Sequence, residues 1–153
     1  MTSPYERVMR LASLVGLVAL ALAACGEPEA PPTGRPCVDA EADALRRMRA
    51  RFHLSEEDTA NFTPSPTKVD LDHDGQSDRI YTFELNAQSL TVVYAMRSAC
   101  GEPMGEMGGP VTVLKTSSRN FLDLKVTLDG ANGAGTTWKI CRVGEDGYRC
   151  TDP

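Results

Sequence analysis

The stretch from Asp70 to Ile80 carries the side chains best suited to binding a metal ion. Carboxylates stand at its first, third, fifth and ninth positions, and Gly75 stands at the sixth. Calcium takes about six to eight oxygen ligands, and alternating acidic side chains in a tight loop can all turn inward to supply them. Gly75 allows the sharp reversal of such a loop, because glycine adopts left-handed dihedrals without a Cβ penalty. We refer to residues 70–78 as the acidic loop.

The order of residues in the acidic loop favours one kind of calcium site. A helix-loop-helix calcium loop needs a bidentate glutamate at its twelfth position, where this chain has Tyr81. The shorter pattern D-x-D-x-D-G-x-x-D fits better, with ligands at positions one, three, five, seven and nine. Calcium is favoured over magnesium, which demands stricter octahedral geometry. The predicted ligands are four carboxylates and one backbone carbonyl: Asp70, Asp72, Asp74 and Asp78, with the carbonyl of Gln76.

A solvated turn is the alternative interpretation of this loop, since Asp side chains cap their own backbone and glycine closes turns. A turn needs one or two such residues and has no use for four carboxylates. The loop and residues 80–85 resemble the calcium loops of FG-GAP and related repeats in integrin propellers and secreted bacterial proteins, although His73 stands where that family usually has glycine. No internal repeat accompanies the loop, so the resemblance implies a calcium site without a propeller.

The N-terminal residues 1–24 have the pattern of an export signal. Arg7 and Arg10 provide a positive start, and residues 11–24 form an apolar stretch without a charged residue. That stretch is shorter than the roughly 20 residues that a membrane-spanning helix needs. We therefore expect a cleaved signal peptide.

The apolar stretch ends in Leu22-Ala23-Ala24-Cys25, which resembles the lipobox of bacterial lipoproteins. The resemblance implies cleavage before Cys25 and attachment of a lipid to its thiol, which would anchor the chain to a membrane. Gly26 in the next position implies the outer membrane of a Gram-negative cell envelope, facing the periplasm or the cell surface. Residues 25–36 are rich in proline and are expected to form an extended tether. An ordinary cleaved signal followed by a chance cysteine is the alternative.

Four further cysteines, an even number in an exported protein, predict two disulfides. They are Cys37, Cys100, Cys141 and Cys150. We favour a bond between the last two, because a two-residue turn at 145–146 would place them opposite each other on a hairpin. Gly147 argues instead for a turn at 146–147 and a shifted register. Elimination then pairs the first two. A zinc site is disfavoured because the spacing contains no C-x-x-C pair.

The hydrophobic pattern predicts a single α+β domain over residues 37–153. Residues 39–52 are expected to form a helix and residues 55–58 the start of a second, short one. Alternating apolar residues after the acidic loop predict strands. We therefore expect an N-terminal helix or helices packed on one antiparallel β-sheet of five or six strands, with disulfide bonds. The strands are expected near 80–85, 90–96, 111–115, 122–128, 136–143 and 148–150.

The sequence also predicts the structure of two connecting segments and the burial of two residues in this sheet. Residues 100–110, rich in glycine, are predicted to be a loop, and residues 129–135 a hairpin turn. Trp138 and Ile140 are predicted to enter the hydrophobic core.

Composition excludes some functions. The net charge of −5 and the lack of basic patches exclude nucleic acid as a partner. Only His53 and His73 could act as imidazole bases, and no G-x-S-x-G pattern is present, so we do not expect an enzyme.

The predicted function is a non-catalytic cell-envelope lipoprotein with a structural calcium-binding loop and a surface for a protein or glycan partner. The alternative is a periplasmic or cell-surface module that binds glycan or inhibits an enzyme.

Overall fold

The computed structural model describes residues 35–129 and 135–153. The predicted signal peptide (1–24), the predicted lipidation at Cys25 and most of the predicted tether lie outside the described residues. The predicted hairpin turn at 129–135 also lies largely outside them. None of the helical segments in the described ranges has the length and apolar character that a membrane crossing requires.

The helix α1 covers Ala40–Phe52. Asp39 caps its N-terminus, accepting hydrogen bonds from the backbone N–H groups of Glu41 and Ala42 at 3.0 and 3.1 Å. His53 ends the helix in the left-handed conformation, with φ of 56°. The predicted second helix is only a 3₁₀ turn, Glu57–Thr59.

Within the described ranges, eight strands form two antiparallel sheets of four strands each, and in both sheets the strands follow chain order. Sheet A contains β1 (Thr67–Val69), β2 (Asp78–Leu85), β3 (Gln88–Arg97) and β4 (Cys100–Met107). Sheet B contains β5 (Val111–Ser118), β6 (Phe121–Asp129), β7 (Thr136–Gly144) and β8 (Gly147–Thr151). The prediction of helices packed on one sheet of five or six strands is therefore wrong, because the described chain is mostly β, with one α-helix and two sheets.

The segment predicted as a loop at 100–110 explains part of this error, because most of it forms β4. The two glycines within β4, Gly101 and Gly105, are required by packing and not by a turn. A Cβ added at Gly101 would lie only 2.8 Å from the Cβ of Ala40, so glycine lets α1 lie close to sheet A. A Cβ at Gly105 would crowd Tyr148 of sheet B at 3.2 Å. The chain changes sheets just after β4, where the Pro110 carbonyl accepts a hydrogen bond from the backbone N–H of β6 residue Thr127 at 2.9 Å.

The described residues form three layers: α1, sheet A and sheet B. One face of sheet A shares a hydrophobic core with sheet B, and its other face packs against α1. β3 is buried on both faces along most of its length, which explains its long apolar run. The core between the sheets contains Leu71, Ile80, Val93, Ala95, Met104, Met107, Leu124, Val126, Cys141 and Tyr148. The core under the helix contains Ala40, Ala44, Met48, Tyr81, Phe83, Leu90, Val92, Tyr94 and Met96.

Two disulfides join Cys37 to Cys100 and Cys141 to Cys150, the pairs favoured from the sequence. The β7–β8 hairpin turns at residues 145–146, which places the second pair directly opposite each other. Gly147, which argued for another turn, has φ of 104° and lies so close to β4 that an added Cβ would collide with the Met104 carbonyl oxygen. This glycine allows the edges of the two sheets to meet.

Trp138 does not enter the core, so its predicted burial is wrong. Side chains alternate along a strand, and Cys141 faces the core, so Trp138 and Ile140 point to the opposite side of sheet B. Trp138 is 41% exposed, and the Lys125 Nζ lies 5.0 Å from the centroid of its ring. Ile140 is half-buried on the same face. Alternation gave the period of β7 but not which of its two faces would be covered.

The shared core between the sheets can be tested at Leu124. We expect Leu124→Ala to lower the free energy of unfolding by about 2–5 kcal/mol, because the truncation leaves a cavity in a fully buried position. Leu85→Ala is the control: Leu85 is 37% exposed, and its truncation should cost about 1 kcal/mol or less. Urea unfolding measures both. Equal losses would contradict the packing of sheet B on sheet A.

Candidate metal centre

The acidic loop connects β1 to β2 at the end of sheet A. Its two ends are held together, because Val69, just before the loop, pairs with Asp78, its last residue. Asp70, Asp72 and Asp78 each offer a carboxylate oxygen, and these oxygens lie within 4.8 Å of one another. Carboxylate oxygens at this separation are the ligands that a hard divalent cation prefers. These three carboxylates could therefore hold a metal ion.

The backbone of the loop reverses through two left-handed residues, His73 with φ of 61° and Gly75 with φ of 85°. Aspartate side chains bind its amides: Asp70 Oδ2 accepts from the Gly75 N–H at 3.1 Å, and Asp74 Oδ1 accepts from the Gln76 N–H at 2.7 Å. A solvated turn would show the same bonds. Asp70 Oδ1, however, is buried without a hydrogen-bond partner among the described residues. A buried carboxylate oxygen left in this way is unfavourable unless a water molecule or a cation binds it.

Asp78 fastens the loop to the sheet. Its side chain is fully buried, with Oδ2 accepting from the Leu71 N–H and Oδ1 accepting from the Met96 N–H, both at 2.7 Å. Burial raises the pKa of Asp78 to about 6; the two backbone N–H groups oppose this shift, and the charges of Asp72 and Asp74 add to it. Met96 lies on β3, so one carboxylate joins the loop to an inner strand of sheet A.

Leu71 extends this connection into sheet B. Its side chain is fully buried in the core between the sheets. Its carbonyl accepts a hydrogen bond from the backbone N–H of Leu122 at 2.7 Å. The acidic loop is therefore bound to both sheets, which makes its conformation part of the fold.

Arg97, the last residue of β3, provides a positive charge beside the three carboxylates. Its Nη1 lies 2.7 Å from Asp72 Oδ2 and 3.2 Å from Asp74 Oδ2. Its Nε lies 3.8 Å from the Glu102 carboxylate. The guanidinium neutralises part of the negative charge that the loop concentrates. Sequence reasoning missed this residue, although the β2–β3 hairpin register, continued past Arg79 and Tyr94, places Arg97 opposite the loop.

The two other predicted ligands, Asp74 and Gln76, lie in the same loop as the three carboxylates and make different contacts. Asp74 is partly exposed and pairs with Arg97. The side-chain Oε1 of Gln76 accepts a hydrogen bond from the Ser98 N–H at 2.9 Å, which ties the loop to the turn after β3. The structure thus brings together three of the five predicted ligands, and a ligand role for Asp74 and the Gln76 carbonyl stays a prediction.

No protein-family model, curated protein or solved structure matches this chain. The function of the site is therefore argued from its own side chains. They are oxygen donors, held at the junction of two sheets, with an arginine beside them. This chemistry suits the binding of a cation.

The role of Asp78 in the fold can be tested without metal. We expect Asp78→Asn, in the presence of a chelator, to lower the free energy of unfolding by about 1–3 kcal/mol, because the amide cannot accept from both backbone N–H groups. The control is Asp74→Asn, which alters an exposed part of the loop and should cost about 1 kcal/mol or less. Thermal or urea unfolding at neutral pH measures the difference. If both variants were equally stable, Asp78 would not fasten the loop to β3.

Proposed function

We propose that this protein is a non-catalytic, lipid-anchored protein of the cell envelope, stabilised by a calcium ion in the acidic loop, which presents a surface to a binding partner. The observation that supports the proposal best is the convergence of three carboxylates where Asp78 joins the loop to β3. An ion bound there stabilises the sheet as well as the loop, since loop and sheet share this side chain. Its role is structural.

Calcium fits this group better than other cations do. The donors are all oxygens, which suit hard cations, and the loop is partly exposed, so water can complete the coordination. Calcium also accepts flexible geometry, whereas magnesium demands an octahedron. A bound cation would favour the charged form of Asp78, which burial alone disfavours. The unpaired Asp70 Oδ1 would gain a partner.

Arg97 sets a limit on the affinity. Its Nη1 pairs with Oδ2 of Asp72 and Oδ2 of Asp74, so it competes with an ion for these two carboxylates. Its positive charge also repels calcium. We therefore place the dissociation constant near that of extracellular calcium modules, about 10⁻⁴–10⁻³ M.

The proposed location in the cell envelope rests on two features of the chain. The sequence Leu22-Ala23-Ala24-Cys25 resembles a lipobox, so Cys25 would carry the lipid, and the residues after it would form the tether. The two disulfides support an oxidising compartment, because such bonds persist in exported proteins and are rare in the cytosol. An outer-membrane anchor facing the periplasm or the cell surface is part of this proposal.

A glycan-binding module is the second candidate function, and the exposure of Trp138 favours it. An aromatic side chain 41% exposed on an open sheet face offers a flat surface for a ligand. An enzyme-inhibitor role has less support, because a protruding loop at 101–110 would favour it, and residues 101–107 lie in strand β4.

Calcium binding can be tested by thermal unfolding with calcium and with a chelator. At ten times the dissociation constant, calcium should stabilise the native protein by about 1.4 kcal/mol. Asp70→Asn combined with Asp72→Asn should abolish this response by removing two ligands. The matched control, Glu57→Gln with Asp129→Asn, makes the same charge change at exposed positions outside the loop and should keep it. No stabilisation of the wild-type protein at millimolar calcium would overturn the calcium proposal.

The competition from Arg97 predicts a gain of affinity. Arg97→Gln should bind calcium about three- to tenfold more tightly, a change of roughly 0.6–1.4 kcal/mol, because it removes a repelling charge and releases Asp72 and Asp74. Arg51→Gln, which removes an exposed charge from α1, is the control and should leave the affinity unchanged. Isothermal titration calorimetry measures both. Weaker binding by Arg97→Gln would show that Arg97 supports the site.

A further inference from the structure

The side of sheet B that faces away from sheet A, which we call the outer face, carries an aromatic side chain among cations. Trp138 and Arg142 project from β7, Lys125 from β6 and Arg149 from β8. None of these side chains belongs to either hydrophobic core of the described residues. Trp138 is 41% exposed, and the side chains of Arg142 and Arg149 are 59% and 69% exposed. The outer face is therefore accessible to a ligand within the described structure.

The charges on this face are arranged unfavourably for the protein alone. Arg142 and Arg149 lie directly opposite each other on neighbouring strands, and like charges in that position destabilise a sheet. Each arginine has one acidic neighbour: Arg142 Nε lies 3.9 Å from Asp123 Oδ2, and Arg149 pairs with Asp146. The Arg149–Asp146 pair is exposed on both sides and contributes little, and Arg142 reaches the buried Asp123 only at the long distance of 3.9 Å. An anion lying across the two guanidinium groups would relieve the repulsion.

These cations lie in the part of the chain where the charge balance differs from the rest. The protein has a net charge of −5, and acidic residues outnumber basic ones in residues 35–110. In residues 111–153 the two kinds are nearly balanced. These basic residues are not adjacent in the sequence, and only the pairing of β6, β7 and β8 brings Lys125, Arg142 and Arg149 together on one sheet face. That face is complementary to an anion.

Trp138 indicates what else the ligand must offer. The indole lies on the same face as the arginines, and Lys125 Nζ lies 5.0 Å from its ring centroid. Trp138 and Arg142 are four residues apart on one strand, which is about 13 Å at 3.3 Å per residue. A ligand that contacts both is extended, with a flat apolar surface near one end and negative charge near the other. A chain of sugar rings with acidic substituents has both properties, because the C–H groups of a sugar ring can pack on an indole.

We propose that the outer face of sheet B binds an acidic polysaccharide. Sugar rings pack against Trp138, while carboxylates along the polymer pair with Arg142, Arg149 and Lys125. This inference rests on the proposed function, because it names the partner of the proposed binding surface. It is independent of calcium, since the acidic loop contributes no side chain to the outer face.

Fluorescence tests this proposal directly, because Trp138 is the sole tryptophan of the chain. The purified protein is titrated with polygalacturonate, with neutral dextran and with poly-L-glutamate, each at low salt. Polygalacturonate should cause a saturable change in emission that salt weakens. Dextran should cause none, and poly-L-glutamate should bind at least tenfold more weakly at equal charge. Equal binding of dextran or of poly-L-glutamate would overturn the proposal, as would no response to polygalacturonate.

Two sets of variants locate the binding surface. Arg142→Gln with Arg149→Gln should weaken the binding of polygalacturonate at least tenfold. The matched control, Arg51→Gln with Lys68→Gln, removes the same charge from exposed positions on α1 and β1 and should bind like the wild type. Unchanged affinity in the first pair would contradict the assigned surface. Thermal unfolding checks that the first pair is folded, and Lys125→Gln, expected to weaken binding about threefold, gives a second test that spares both arginines.

The same titration with calcium and with a chelator separates this proposal from the calcium site. Polygalacturonate should bind Trp138 equally in both, after a correction for calcium bound by the polymer itself. If calcium does not stabilise the protein but the polymer binds, the calcium proposal is wrong and this inference stands. If calcium stabilises the protein but the polymer does not bind, only this inference is wrong.

Discussion

The buried carboxylate of Asp78 is the interaction on which the arrangement of this structure depends. It accepts one hydrogen bond from Leu71 at the start of the acidic loop and one from Met96 near the end of β3. Leu71 in turn is bound to sheet B through Leu122. Burying a carboxylate is costly, and the raised pKa of Asp78 reflects that cost. The two backbone N–H groups offset part of it, and a cation shared with Asp70 and Asp72 would offset more.

The Cys37–Cys100 disulfide extends this connection towards the N-terminal segment. Arg97 and Ser98 contact the acidic loop, and Cys100 begins the next strand a few residues later. The disulfide therefore joins the chain just before α1 to the β3–β4 hairpin, whose turn contacts the acidic loop. Order in the loop, in the β3–β4 turn and at the start of α1 is coupled by these contacts. A structural ion in the loop would act on all three.

The sequence predicted features that depend on local chemistry. Spacing identified the acidic loop, hydrophobic periodicity identified α1, and a two-residue turn gave the register that pairs Cys141 with Cys150. The errors came from long-range packing. Gly101 and Gly105 had the signature of a loop, yet they are glycines because Ala40 and Tyr148 approach them. Trp138 was placed in the core because alternation does not tell which side of a strand another sheet will cover. Arg97 was missed because only the hairpin register brings it to the loop.

The most direct measurement of the central claim is a calcium titration followed by NMR at single-residue resolution. If the acidic loop binds calcium and shares Asp78 with the sheet, the amide signals of residues 70–78 will shift. Those of Met96, Arg97 and Ser98 will shift with them, at one calcium per chain. Signals of the outer face of sheet B, such as Trp138, will stay in place. An absence of shifts at millimolar calcium would contradict the metal site, and shifts in the loop without any at Met96 would contradict its coupling to the sheet.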